Sequence, residues 1–242
     1  MRIGSAKSVV SFVIPCLNEE TAIGPLVEAL LAIDVDEVVV VDGGSADRTV
    51  ENARAAGAKV VIETTRGYGR ACAAGIAATR PDASILAFID GDGSDSPAFA
   101  PDIIGPVMRA ETDFAIGSRL RGPREPRSMS AQQIAAGWLA GRLIWLIYEA
   151  RFTDMAPYRA ITRTAFETLG MQEMTYGWNL EMQMRVASAR MRILEIPVGC
   201  RHRRGGVSKV SGNLAATVPA AVALARTFAR LLFVLRRSPA VR

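Results

Sequence analysis

The chain has little from which to build a covalent framework. Its 242 residues include three cysteines, at positions 16, 72 and 200, which form no C-x-x-C pair and cannot all be bridged. That disfavours a disulfide-stapled secreted domain and suits a reducing, cytoplasmic setting. The single histidine, His202, stands among arginines and reads as a loop contact, not a base. No stretch reaches the ~18 to 20 uninterrupted apolar residues of a membrane span, and the start, MRIGSAKSVV, lacks the apolar core of a signal peptide. A P-loop signature is absent. Gly67 and Gly69 open a small-residue helix, but Cys72 stands where the third glycine of a dinucleotide fingerprint belongs. Aromatics make up 6% of the chain and no nucleic-acid-binding motif accompanies them, which places that function class last. After Glu195 there are nine Lys or Arg and no acid. A basic end of this kind seeks phosphate, whether on a small molecule, a lipid surface or nucleic acid.

What is present is apolar and periodic. Half the residues are hydrophobic, enough for one large domain with a tail. Val9 to Ile14, Val38 to Val41, Lys59 to Ile62 and Ile85 to Ile89 read as buried strands, and helical spacing separates them. Strand and helix alternate, which predicts an α/β fold with a mostly parallel central sheet, right-handed crossovers and helices on both faces. Asn18 and Ser45 are placed to cap the first two helices. The fourth strand empties into DGDGSDSP, so Asp90 and Asp92 lie at a strand's carboxyl end. In open α/β sheets ligands bind at that edge, and an Asp-x-Asp pair offers hard oxygens to a divalent cation that also holds phosphates. Taken alone, the cluster reads first as a solvated acidic turn, and the other motifs along the chain lift the metal reading above it. A calcium loop is excluded by spacing, because the sixth and twelfth positions from Asp90 are Asp95 and Pro101.

Further on, Phe99 to Arg109 reads as a helix and Asp113 to Gly117 as a strand leading to Arg119. RLRGPREPRSMS reads as a surface linker or as a basic flap over phosphates. Ala131 to Glu149 is a strongly apolar helix, either core or lining a groove for an acyl or isoprenoid chain. Asp154 and Arg159 flank a proline turn before a short helix. A helix begins near Trp178 with Glu181 at its positive end, and Arg192 to Val198 is a last strand. CRHRRGGVSKVSG is a basic loop that either wraps a phosphate or is solvated. From Asn213 to Arg237 an amphipathic helix carries Arg226 and Arg230 on one face, which suits a membrane interface, the core or a dimer contact.

In order along the chain, FVIPCLNEE, VVDGGSADRTV, RGYGRACAAG, FIDGDGSDSP, GSRLRG, DMAPYRAI, YGWNLEMQMR and EIPVGCRHRRGGVSKVSG resemble the family-two inverting glycosyltransferases of GT-A fold, and among them the polyprenyl-phosphate hexose synthases. The resemblance spans roughly residues 9–212. It implies a catalytic domain over 1–212, a Rossmann-like sandwich, followed by a C-terminal helix and basic tail over 213–242 that meets a membrane surface or a second subunit. It implies that Pro15, Asn18, Glu19 and Glu20 border the nucleoside and that Asp42 accepts a hydrogen bond from the base. Gly69, Arg70 and Gly91 join the donor site by the same implication, and Asp90 and Asp92 hold Mg²⁺ or Mn²⁺ on the diphosphate. Arg119, Arg203, Arg204 and Lys209 would meet diphosphate or acceptor phosphate. The chain departs from the family pattern at Asp42-Gly43, where paired acids are usual. It departs again at Asn179 and Glu181, where Glu-Asp is common at the start of the acceptor helix.

The expected activity is transfer of a hexose from a UDP- or GDP-sugar to a lipid-linked acceptor, a polyprenyl phosphate, by an enzyme peripheral to the cytoplasmic face of the membrane. A second reading keeps the donor and takes a small soluble phosphorylated acceptor, with the terminal helix used in a homodimer. A third is a non-catalytic nucleotide-sugar-binding scaffold, against which the intact Asp pair argues. A phosphate acceptor is largely ionised at neutral pH and needs no base, whereas a hydroxyl does. Glu181 is the leading candidate for such a base and Asp154 the next; both also read as structural, one at a helix terminus and the other in a turn.

Overall fold

The apolar runs form a seven-stranded sheet. The computed structural model describes residues 8–33, 35–204 and 214–237, with side chains of the last stretch from Val222 to Leu235. β1 (Val10–Cys16), β2 (Glu37–Asp42), β3 (Lys59–Ile62) and β4 (Ile85–Phe88) come from the first half of the chain; β5 (Phe114–Ser118), β6 (Arg159–Thr162) and β7 (Ile193–Pro197) complete the sheet. The order is β3-β2-β1-β4-β6-β5-β7. All neighbours pair in parallel except β6, which is antiparallel to both β4 and β5.

Alternation along β1 divides the core. Phe12 and Ile14 join a cluster with α1 (Ile23–Leu31), α2 (Thr49–Ala55) and α4 (Ala100–Met108) on one face. Val13 joins the cluster on the other face, made with α3 (Tyr68–Ala78), α5 (Ala131–Tyr148), α6 (Arg163–Leu169), α7 (Trp178–Ser188) and α8 (Leu214–Arg237). Helices therefore cover both faces, as the strand-helix alternation predicts.

β6 is the element that the sequence reading lacks. RAIT is four residues long, follows Pro157 and opens with an arginine, so it reads as part of a turn. Yet Arg159 is fully buried. Its guanidinium lies 5.9 Å from the Phe114 ring and donates to the carbonyls of Ala156, Pro157 and Asn179. The arginine thus ties the turn before β6 to the first turn of α7.

Two helix caps also differ from expectation. Asn18 has a positive φ of 57° and does not cap α1, whose N-cap is Ala22. Its Oδ1 instead accepts from the Ala46 amide at 2.9 Å, while its own amide donates to Ser45 Oγ at 2.8 Å. Ser45 in turn donates to Asp42 and leaves the N-cap of α2 to Arg48. These polar side chains stitch the loops after β1 and β2 together. α5 does have the sequence-readable start, a Ser130/Gln133 capping box.

α8 lies on α7. Leu231 is buried, and Leu224, Phe228 and Leu235 pack beside it at helical spacing. Thr227 and Arg230 donate to Glu173 at 2.9 and 2.7 Å. Arg230 is therefore an ion-pair partner of the protein's own loop. No helix among the described residues is long and apolar enough to cross a membrane.

Candidate active site

The carboxyl edge of the sheet gathers the charged residues. Immediately after β4, Asp90 accepts from the Tyr68 hydroxyl at 2.9 Å, and Asp92 Oδ1 accepts from the Ser94 amide at 2.8 Å. Gly91 between them has no room for a side chain, since a Cβ there would stand 2.8 Å from that of Cys16. The turn is thus pressed against β1. Burial, then the neighbouring Asp92 charge, pushes the Asp90 carboxyl up to about 6 against the Tyr68 bond and two arginines. Two close carboxylates that resist joint ionisation fit a divalent cation in the chemistry of their donors. No third His, Cys, Asp or Glu joins them among the described residues, so further ligands would come from substrate and water.

Arg119 leaves the end of β5 toward Asp154. Its Nε donates to Oδ2 at 2.8 Å, its Nη2 to Oδ1 at 3.0 Å and its backbone amide to Oδ2 at 3.0 Å. Nη1 makes no hydrogen bond among the described residues. Burial alone would raise the Asp154 carboxyl, but the Arg119 charge and the hydrogen bonds outweigh it and hold it below the ordinary 3.8. Asp154 is itself fixed from behind, where Glu195 accepts from the Thr153 amide at 2.7 Å and Gln183 donates to the Asp154 carbonyl at 2.9 Å. Asp154 is therefore the partner that sets Arg119, not a carboxylate open to a substrate proton.

Glu181 also loses the base role. It is fully buried, with Oε1 accepting from Arg185 at 2.8 Å and Oε2 from the amides of Gln172 and Glu173 at 3.0 and 2.6 Å. The i,i+4 spacing of Glu181 and Arg185 is the sequence signal for this structural role. The site does hold a carboxylate that the motifs do not mark: Asp95, fully buried, with neither oxygen hydrogen-bonded among the described residues and the carboxyl raised to about 7 by burial. Tyr68, on Asp90, is likewise missed, because a lone tyrosine at a helix start carries no pattern.

The remaining nucleoside-side residues are mostly engaged with one another. Pro15 pairs with Val41 across β1 and β2. Glu19 donates its amide to Thr49 Oγ1 at 2.8 Å, and Glu20 Oε2 accepts from the Arg48 amide at 3.1 Å. Asp42, expected to meet the base, takes the Gly44 and Ser45 amides on Oδ2, each at 2.9 Å, and the Ser45 hydroxyl on Oδ1. The amides of Gly69 and Arg70 are also occupied, donating to the Thr175 and Met174 carbonyls at 3.2 and 3.0 Å. A Cβ on Gly69 would lie 2.2 Å from the Glu173 carbonyl oxygen, so this glycine serves helix-to-loop contact. From the basic loop, Arg203 reaches both Glu19 and Asp92, and the Arg204 amide donates to the Asp92 carbonyl at 3.1 Å. Lys209 lies outside the described residues.

A carboxylate pair at the carboxyl edge of a mostly parallel sheet, with arginines converging from two loops, is an arrangement that can hold a divalent cation together with a phosphate. The family model described as Glycosyl transferase family 2 matches residues 11–175, and the chain belongs to that family. It is 35% identical over 217 residues to an uncharacterized glycosyltransferase of Mycobacterium tuberculosis (strain ATCC 25618 / H37Rv), covering 88% of this chain and 94% of that one. It is 34% identical over 169 residues to glucosyl-3-phosphoglycerate synthase of Mycolicibacterium smegmatis (strain ATCC 700084 / mc(2)155), covering 65% of this chain and 54% of that one. A crystal structure of the Mycobacterium tuberculosis glucosyl-3-phosphoglycerate synthase with Mn²⁺, UDP-glucose and phosphoglyceric acid superposes with a TM-score of 0.72 at 21% identity, over 95% of this chain and 85% of that one. At that identity the likeness is one of fold.

Proposed function

We propose that this glycosyltransferase moves a hexose from a uridine-diphosphate sugar to a small phosphorylated acceptor, with inversion at the anomeric carbon. The acceptor oxygen bonds to that carbon as the bond to the diphosphate breaks. A divalent cation, Mg²⁺ or Mn²⁺, held by Asp90 and Asp92 would supply Lewis-acid stabilisation of the leaving diphosphate. Arg203 stands at Asp92 to meet its charge with Arg204 next to it on the same loop, and Arg119, set by Asp154, offers Nη1 to a phosphate. The observation that carries the reading is the engagement of both expected bases, Glu181 and Asp154, by protein donors, while Asp95, the remaining carboxylate of the site, is fully buried away from any acceptor. An acceptor presenting an ionised phosphate oxygen has no proton to lose. The 34% identity over 169 residues to a glucosyl-3-phosphoglycerate synthase supports a glucosyl donor and a small phosphorylated acceptor.

A second reading keeps the chemistry and places the phosphate on a polyprenyl lipid, with the protein peripheral to a membrane. It is favoured by the exposure of Trp138, Leu139 and Leu146 on α5 and of Phe233 on α8. Transfer of label from a panel of nucleotide sugars, with Mg²⁺ or Mn²⁺, to soluble extract and to membranes separates the two. Water-soluble product supports the first reading and label in the organic phase the second. Asp92→Asn should abolish turnover while leaving the circular dichroism spectrum unchanged; retained turnover would sink both.

A further inference from the structure

Glu19, Asp92 and Arg203 come from three separate segments and meet at one guanidinium. Arg203 Nη2 lies 2.6 Å from Glu19 Oε1, and Nη1 lies 3.3 Å from Asp92 Oδ2. Each participant is fixed from behind. The Glu19 side chain is 4% exposed, and its amide is held by Thr49. The Arg203 loop is pinned by the Arg204 amide on the Asp92 carbonyl and by Thr21 Oγ1 on the Arg204 carbonyl at 3.0 Å. Asp92 Oδ1 takes the Ser94 amide, so Oδ2 is the oxygen left for a cation. That same oxygen faces Arg203.

We infer that Arg203 is the resident counter-cation of the Asp92 carboxylate, and that Glu19 is a positioning residue that holds the guanidinium when a divalent cation takes Oδ2. The inference rests on the reading of Asp90 and Asp92 as the donor-metal site. A guanidinium and a divalent cation repel each other across one carboxylate oxygen, so a bare cation must displace Arg203 against its own charge. A cation arriving with a diphosphate brings anionic oxygens to which Nη1 turns, while the shorter Glu19 contact acts as the pivot. The protein therefore takes the cation poorly alone and well together with nucleotide. Glu19, placed by family resemblance beside the nucleoside, works through Arg203 instead.

Electron paramagnetic resonance of free Mn²⁺ tests this on the full chain, with and without UDP, and thermal melting monitors the fold. Arg203→Gln should tighten nucleotide-free Mn²⁺ binding by roughly five- to tenfold, the effect of removing one neighbouring positive charge, and should narrow the gain from UDP. Glu19→Gln should shift nucleotide-free binding the other way, because the guanidinium then loses the Glu19 contact and bears more fully on Asp92. Arg203→Lys, which keeps a cation, should stay near the parent. A purely structural role would weaken Mn²⁺ binding in both the Arg203→Gln and Glu19→Gln variants, and that result overturns the inference. Asp92→Asn separates the two levels. If it leaves Mn²⁺ binding with UDP intact, the metal site itself is wrong. If it abolishes binding while Arg203→Gln fails to tighten it, only the counter-cation role falls.

Discussion

Asp154→Asn isolates the contact that orients Arg119. The substitution keeps the side-chain volume and one acceptor oxygen, but removes the charge and the second acceptor of a bidentate pair. In the parent, the Arg119 and Asp154 side chains are 13% and 1% exposed. Breaking a buried pair from one side costs about 3 to 5 kcal/mol because the other charge is left uncompensated, and the residual exposure of Arg119 points to the lower end. Urea unfolding should therefore show a loss of about 3 kcal/mol at neutral pH, with unchanged denaturant slope. Arg119→Met in the Asp154→Asn background removes the stranded cation, and the double-mutant cycle should return a coupling of about 2 kcal/mol. Turnover should not recover with it, since Nη1 is gone. The folded Asp154 carboxyl lies below its ordinary value of 3.8, so its stabilisation is in place above that value and is lost as pH falls through the folded one. A loss under about 1 kcal/mol, or a coupling under about 0.5, would refute the claim that this pair sets the edge of the site.

Other consequences can be measured separately. Gly69→Ala sets a Cβ 2.2 Å from the Glu173 carbonyl oxygen; it should cost about 1 to 3 kcal/mol or more in urea unfolding and weaken Mn²⁺ binding through the displaced Tyr68. Leu231→Ala should destabilise the whole domain by about 2 to 5 kcal/mol, whereas Arg230→Ala, with a side chain 45% exposed, should cost at most about 1. An unchanged unfolding curve for Leu231→Ala would show that the terminal helix is no part of the core. Without a cation, the Asp90 carboxyl titrates at about 6 when folded, against 3.8 unfolded. Its folded-state proton stabilises fully below the lower value, and this contribution disappears as pH rises through the higher one. Mn²⁺ affinity with UDP should accordingly fall about tenfold between about pH 7 and about pH 5; a flat profile would count against Asp90 as a ligand.

The first half of the fold was readable because its strands are buried on both faces and show as plain apolar runs between glycines and acids. β6 was not, since what makes RAIT a strand is its two neighbours, and what makes Arg159 tolerable inside is a ring of carbonyls drawn from three positions. The Asp90/Asp92 pair could be read from its place after a strand. The partners of the other acids could not: Asp154 meets Arg119 across 35 residues, and Glu19 meets Arg203 across 184. Asn18 and Ser45 misled for the same reason. Their residue types favour helix caps locally, and the contact between two neighbouring loops took them instead. Only Glu181 with Arg185 offered a local clue, and an acid at a helix start carries two meanings.

The reversed direction of β6 has a consequence for where the chain tolerates insertion. β5 ends at Ser118 and β6 begins at Arg159, and the two run side by side, so residues 119–158 depart from and return to one point on the sheet. The Gly117 amide closes that neck on the Tyr158 carbonyl at 2.8 Å. The excursion holds the basic flap, α5 and Asp154. Lengthening it leaves the strand register untouched, and each doubling of a flexible loop costs only about 0.6 kcal/mol in closure entropy. The room for added length lies in its loops, since Ile144 and Phe152 of the excursion are buried in the core and anchor it to the sheet.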